Sequence, residues 1–143
     1  MFWMILMAAL AGFQTGDIQR VCFEDRCIKV EVVSRVEEQL RGLMFRDGLA
    51  EGTGMLFVYE RDIRPVMYMK NMRFSLDLIW LDVSKTIVAV KKNVPACAGE
   101  PCPRYDPGRW ARYVLEIPAG TVDRLRLKKG TQARFETEET RGG

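Results

Sequence analysis

The stretch from Leu76 to Leu81 constrains the fold most, because five of its six residues are large and apolar. A strand with one face in water alternates apolar and polar residues, whereas a strand covered on both faces is apolar almost throughout. In this run Asp77 is the single polar residue. We therefore expect residues 76–81 to form a central β-strand with side chains packed on both faces.

Shorter segments of the same kind recur along the chain. Apolar and charged side chains alternate from Ile28 to Val32, which is the pattern of a half-buried strand. We expect residues 18–22 and 27–33 to pair as a hairpin. Further apolar, β-prone runs occupy residues 55–59, 66–69, 87–90, 113–117 and 131–137.

Two segments have helical patterns. Ser34 and Glu37 have the spacing of a capping box, which predicts a helix to about Met44 with Val36, Leu40, Leu43 and Met44 on its packed face. A shorter helix is expected over residues 121–127. Together these elements predict a mainly β fold, a β-sandwich or barrel-like domain of about eight short strands, with one or two capping helices.

The N-terminus predicts export. Residues 2–12 form an uncharged apolar run that is too short to span a bilayer but suits a signal peptide. No Lys or Arg precedes the run, so an apolar strand or an interfacial anchor is the alternative. We expect a signal peptide at 1–11, one domain at 12–137 and a frayed tail at 138–143. The location would be periplasmic or secreted, with no stable membrane span after processing.

Four cysteines form two equally spaced pairs, Cys22/Cys27 and Cys97/Cys102. The first pair brackets a hairpin turn, and the second lies in the Pro-rich segment 93–108, which we expect to be a long loop. A four-cysteine zinc site and a redox-active pair are alternatives. Paired zinc ligands usually have two to four residues between them, so four is at the upper limit, and the two pairs lie 70 residues apart. A catalytic redox pair normally has two intervening residues. We favour two structural disulfides in an oxidising compartment.

The composition excludes several function classes. The chain has no histidine, which removes imidazole bases, Ser-His and Cys-His pairs, and every histidine-containing metal site. The net charge of the chain is only +3, and its basic residues are interleaved with acidic ones along the sequence. We therefore expect no nucleic-acid surface. We expect a monomer without metal or cofactor.

Seven polar or aromatic residues in apolar segments are candidates for a ligand site. Lys70 and Asn71 follow Tyr68 within the apolar stretch 66–72, and an aromatic face beside an ammonium group suits a saccharide or an anionic small molecule. The alternative is that Lys70 is solvated at a strand end and Asn71 makes a turn. The full candidate set is Tyr68, Lys70, Asn71, Asp77, Arg112, Tyr113 and Glu116.

Asp77 and Glu116 are carboxylates embedded in apolar strands. Each is either solvated or buried and paired, with Arg112 and Lys70 as candidate partners. An inward pair across the sheet would form an acid/base dyad. An ordinary ion pair at the sheet edge is the alternative.

Six ordered motifs resemble a known family. The chain is similar to the small bacterial and archaeal proteins of domain of unknown function 192 (DUF192), and the resemblance covers about residues 30–135. It implies a compact β-sandwich-like fold, often exported, without a settled activity. Two departures are Tyr68, where tryptophan is usual, and a turn at 82–85 without its usual glycine. The motifs are RGLMFR (41–46), GMLFV (54–58), MKN (69–71), LDLI (76–79), VPAC (94–97) and YVLEIPAG (113–120).

Three classes of function remain open. We favour binding of a polar or anionic small molecule or saccharide, at a site whose rim is shaped by the loop from Cys97 to Cys102. The second class is a cofactor-independent hydrolase or transferase that uses Asp77 or Glu116 with Lys70. The third is a structural envelope interaction module, which would expose an apolar patch and lack a concave polar pocket.

Overall fold

The computed structural model describes residues 18–138, which form nine strands and two short helices. A seven-stranded sheet has the order β6-β5-β8-β3-β2-β1-β9, and β4 and β7 form a separate pair. The mainly β prediction is confirmed. The elements are β1 (Ile18–Phe23), β2 (Arg26–Val33), α1 (Val36–Arg41), β3 (Thr53–Ile63), β4 (Met67–Tyr68), β5 (Leu76–Leu81), β6 (Ile87–Val94), β7 (Arg104–Tyr105), β8 (Ala111–Pro118), α2 (Thr121–Leu125) and β9 (Arg134–Thr137).

The two ends of the large sheet are joined, which makes the fold barrel-like. Strand β9 pairs with β1, and the segment leading into β9 bonds to the opposite edge at the start of β6. There, the amide of Ile87 donates to the carbonyl of Thr131, and the amide of Ala133 donates to the carbonyl of Lys85, both at 2.8 Å. This closure protects sheet edges that would otherwise be open to other chains.

Strand β5 is the central strand that its composition predicts. It pairs with β6 on one side and β8 on the other, and all six of its residues are buried. Ile79 and Leu81 belong to the apolar cluster on one face of the sheet. Leu78 and Trp80 belong to the cluster on the other face, which also contains Met67 of β4.

The predicted N-terminal hairpin and both disulfides are present. Cys22 and Cys27 lie directly opposite each other on β1 and β2 and are bonded. Cys97 and Cys102 are bonded within the long loop. That loop also contains β7, which the sequence does not predict because a two-residue strand has no periodicity.

The first helix differs most from its prediction. Helix α1 has only six residues, and its N-cap is Arg35, without a side-chain capping bond, rather than Ser34. Val36 and Leu40 are 66% and 62% exposed, so the expected packed face is wrong. The chain leaves the helix at Gly42 with a φ of +49°, and Leu43 beyond it is buried instead.

The side chain of Gln39 attaches α1 to the sheet. Its amide donates to the carbonyl oxygens of Val33, at 3.3 Å, and Val58, at 2.9 Å. Because α1 connects the parallel strands β2 and β3, these bonds hold it over the sheet, and Val36 and Leu40 remain exposed. The exposed side chains of Val36 and Leu40 border the space between α1 and the sheet.

The predicted signal peptide and residues 139–143 of the predicted tail lie outside the described residues. Within residues 18–138, neither helix has the length and apolar character that crossing a bilayer would need.

Candidate functional site

A cavity of about 200 Å³ lies where α1, the sheet and the segment after β4 meet. Its walls are mostly apolar, and its polar groups come from three different parts of the chain. Helix α1 and the turn after it contribute Gln39, Leu40, Gly42, Leu43 and Met44; the sheet contributes Phe57, Tyr59 and Glu116; and the segment around β4 contributes Val66, Met67, Tyr68, Lys70 and Met72.

Glu116 is the most unusual group in the cavity wall. It lies on β8, where Met55 of β3 and Leu78 of β5 are its register partners. The residue is only 5% exposed, and its Oε2 has no hydrogen-bond partner within residues 18–138. Burial raises the pKa of Glu116 from 4.5 to about 8, so the carboxyl group is mostly protonated at neutral pH.

Gly54 allows the backbone to approach closely beside Glu116. A Cβ at this position of β3 would lie 2.6 Å from the carbonyl oxygen of Glu116 and 2.9 Å from Cγ2 of Ile117. Both distances are shorter than a carbon atom tolerates. The glycine therefore lets β3 pack against β8 at the residue that carries the buried carboxyl.

Tyr59 brings a second polar group from β3 into the wall. Burial raises the pKa of its hydroxyl, and the nearby charge of Glu116 adds to that effect. The phenol is therefore uncharged at neutral pH and can donate or accept a hydrogen bond. The sequence pattern does not single out Tyr59, because it ends an apolar run in the same way as many core tyrosines.

Lys70 lies at the rim of the cavity rather than at its base. Its side chain is 48% exposed, and its Nζ is 3.2 Å from Oε1 of Glu100. Glu100 belongs to the loop closed by the second disulfide, and the amide of Cys97 in that loop donates to the carbonyl of Met69 at 3.1 Å. The disulfide-closed loop therefore contacts the segment that forms this part of the rim.

Three of the seven candidate residues line the cavity, namely Tyr68, Lys70 and Glu116. Lys70 and Tyr68 both line the cavity, but not because they alternate along one strand: β4 ends at Tyr68, before Lys70. Asn71 is exposed in a turn with a φ of +58°. Its carbonyl accepts a bond from the amide of Phe45, as the turn alternative predicts.

The other three candidates do not line the cavity. Arg112 pairs with Asp62 at 3.1 Å. Tyr113 packs its ring edge-on against Phe135, with ring centroids 4.9 Å apart. These two residues are adjacent on β8, so their side chains point to opposite faces of the sheet.

Asp77 is fully buried, but both of its carboxylate oxygens are occupied. Oδ1 accepts from the amide of Asn93 and Oδ2 from the amide of Val122, each at 2.8 Å. The second bond caps the N-terminus of α2. Because Asp77 pairs with Ile117 while Glu116 pairs with Leu78, the two carboxyl groups point to opposite faces of the sheet. The acid/base dyad proposed for this pair is therefore wrong.

One group of side chains within residues 18–138 has the spacing of a metal site. Ligand atoms of Cys22, Cys27 and Glu136 lie within 4.8 Å of one another. Both sulfur atoms are bonded in the disulfide, and a metal ion needs free thiolates. The group therefore does not fit a metal ion in the oxidised protein.

Comparison with known families decides the family of the chain. Residues 19–135 match the DUF192 family, described as uncharacterized ACR, COG1430. The chain belongs to the DUF192 family. A DUF192 relative, a UPF0127 protein from Thermococcus sibiricus, is 27% identical over 113 residues, which cover 79% of this chain and 70% of that protein.

Two solved structures are similar in fold to this DUF192 chain. The first, from Sinorhizobium meliloti 1021, is described as a candidate transcription regulator. It has a TM-score of 0.74 and 28% identity, and the match covers 81% of this chain and 90% of that one. The second is a protein of unknown function from Novosphingobium aromaticivorans, with a TM-score of 0.71, 25% identity and 76% of each chain covered.

Proposed function

We propose that this DUF192 domain binds a small molecule in the cavity beside Glu116. The observation that carries the proposal is the buried carboxyl group, whose Oε2 has no partner within the described residues. A buried polar atom without a hydrogen bond costs about 1 to 3 kcal/mol. A ligand that supplies the missing bond recovers part of that cost, so the group favours occupancy of the cavity.

The walls indicate the shape of the ligand. Val36, Leu40 and Val66 border the cavity and are substantially exposed, so an apolar part of the ligand would cover them. Glu116, Tyr59 and Lys70 supply polar contacts. A saccharide or another polar molecule with an apolar face fits this arrangement, whereas a free anion would meet a carboxyl group at the base.

A panel of monosaccharides, alcohols, amines and organic acids, screened by thermal unfolding, tests the binding function. A ligand present at 100 times its dissociation constant is expected to stabilise the domain by about 2.7 kcal/mol. Leu40→Ala should weaken binding about fivefold by removing roughly 1 kcal/mol of apolar contact.

Val83→Ala is the matched control, because Val83 is also exposed, at 54%, but does not line the cavity. Unchanged binding in Leu40→Ala, or equal weakening in both variants, would place the ligand elsewhere. A complete panel without stabilisation would contradict the binding function.

Acid/base catalysis is the second candidate function. A carboxyl group with a pKa raised to about 8 in a cleft is a feature of general acids and bases. Glu116 would act as the acid or base with Lys70 at the rim, while Asp77 is occupied by backbone amides. Following the ligand panel for products separates this function from simple binding.

We also propose that the domain works outside the cytoplasm. Two disulfides within residues 18–138 support this location, since such bonds persist in oxidising compartments. The intact protein recovered from the periplasm or medium should gain two hydrogen atoms in mass per disulfide, or four in all, when it is reduced. Equal masses before and after reduction would contradict the proposal.

A further inference from the structure

Within residues 18–138, the carboxyl group of Glu116 lines the cavity without a protein cation paired to it. Within residues 18–138, the titratable groups that line it with Glu116 are Arg41, Tyr59, Tyr68 and Lys70. Arg41 is exposed at the end of α1. The ammonium group of Lys70 is paired with Glu100, so its charge is offset outside the cavity.

The remaining walls suit an organic cation. Phe57, Tyr59 and Tyr68 supply aromatic rings, whose faces attract positive charge. Met44, Met67 and Met72 supply polarisable thioether groups. By contrast, an anion site is normally built from arginine side chains or convergent backbone amides. For this cavity to bind an anion, the cationic side chains of the protein would have to reach the base of the cavity.

We propose that the cavity binds a small organic amine in its ammonium form, with its N–H groups donating to Glu116 and its hydrocarbon part covering Leu40 and Val66. This proposal rests on the binding function above and names its ligand class. Oε2 of Glu116, which has no hydrogen-bond partner in the described part of the chain, is the acceptor that the ammonium group would use. The cavity volume of about 200 Å³ admits an amine of several carbon atoms.

Binding would release a proton. Glu116 carries a proton at neutral pH because burial raises its pKa to about 8, and an ammonium ion pairs with the carboxylate rather than with the acid. As the ammonium ion enters, the carboxyl proton leaves to solvent, and charge balances within the pair. Affinity for an amine should therefore rise by up to about tenfold per pH unit between pH 6 and pH 8.

Three probes of equal length test the assignment in the full chain: pentylamine, 1-pentanol and pentanoate. By titration calorimetry at pH 7, pentylamine should bind at least about tenfold more tightly than 1-pentanol, and pentanoate should bind most weakly. Repeating the titration in buffers of different ionisation enthalpy should show proton release for the amine alone. Val83→Ala, an exposed substitution outside the cavity wall, should leave the amine affinity unchanged.

Glu116→Gln removes the acid with little change in shape and should reduce the preference for the amine to less than about threefold. Folding of this variant is checked by thermal unfolding, and proton release by the wild-type protein provides an independent measurement. A retained amine preference in the variant, or an alcohol or anion that binds as tightly as the amine, would overturn the amine assignment. If only panel members without an amino group bind, the amine assignment is overturned and the binding function stands. If no compound binds, both the amine assignment and the binding function are overturned.

Discussion

Replacing Glu116 with Gln is expected to remove most of the pH dependence of stability between about pH 5 and pH 8. In the wild-type protein, burial holds the pKa of Glu116 at about 8 in the folded state, against 4.5 for the ordinary group. The folded state therefore keeps a proton that the unfolded state has lost. Its stability is highest below the unfolded pKa and falls as the pH rises towards the folded pKa, by roughly 3 to 5 kcal/mol in total.

Few other groups titrate in this interval. The chain has no histidine, which is the side chain that ordinarily changes charge between pH 5 and pH 8, and its four cysteines are in disulfides. Urea unfolding at several pH values, followed by circular dichroism, measures the effect. Glu116→Gln and the wild-type protein should be similar near pH 5, and the variant should be clearly more stable at pH 8.

Glu31→Gln is the control with the opposite sign. The hydrogen bonds from Arg46 lower the pKa of Glu31, so its contribution is fully present above the ordinary pKa and is lost only in acid. Its removal should give a constant difference from the wild-type protein between pH 5 and pH 8. Wild-type stability that does not fall across this interval would show that Glu116 is solvated or paired in solution.

Asp77→Ala is expected to destabilise the domain by about 3 kcal/mol. The substitution deprives two backbone amides of their acceptor, those of Asn93 and Val122. A buried donor without a partner costs about 1 to 3 kcal/mol. The bond from Val122 is buried and that from Asn93 is partly buried. The start of α2 loses its cap at the same time, so the loss should be measurable by chemical unfolding.

Asp82→Ala is a matched control with the same chemistry at the surface. Oδ1 of Asp82 accepts from the amides of Ser84 and Thr86. Because Asp82 is only half-buried, water can take the place of the carboxylate as the acceptor for these amides. We expect a loss of about 1 kcal/mol there. An Asp77→Ala variant no less stable than Asp82→Ala would show that the two amides find other partners.

The elements with local signals were predicted well. The almost entirely apolar run of β5, the alternation in β2 and the spacing of each cysteine pair depend on neighbouring residues, and each has the structure expected. Glu116 and Lys70 were selected because they are polar within apolar segments, and both line the cavity.

The same signal failed for Asp77, because a polar residue in an apolar strand does not reveal which face of the sheet holds a cavity. That face is set by α1, whose position depends on the parallel pairing of β2 with β3 and on the bonds of Gln39 to two strand carbonyls. Tyr59 and Phe57 line the cavity because they lie on the face of the sheet that α1 covers. These contacts join residues that are distant in sequence.

The amino-acid sequence by itself determined the family, the mainly β class, the hairpin and the central strand, since periodicity, turn residues and motif order are local properties. Tertiary structure alone decided that, among the residues the structure describes, Oε2 of Glu116 has no hydrogen-bond partner while Asp77 is bonded through both oxygens. The physical reason is desolvation: the protonation state of a carboxyl group depends on which dipoles and charges the folded chain places around it, and sequence spacing does not specify that environment.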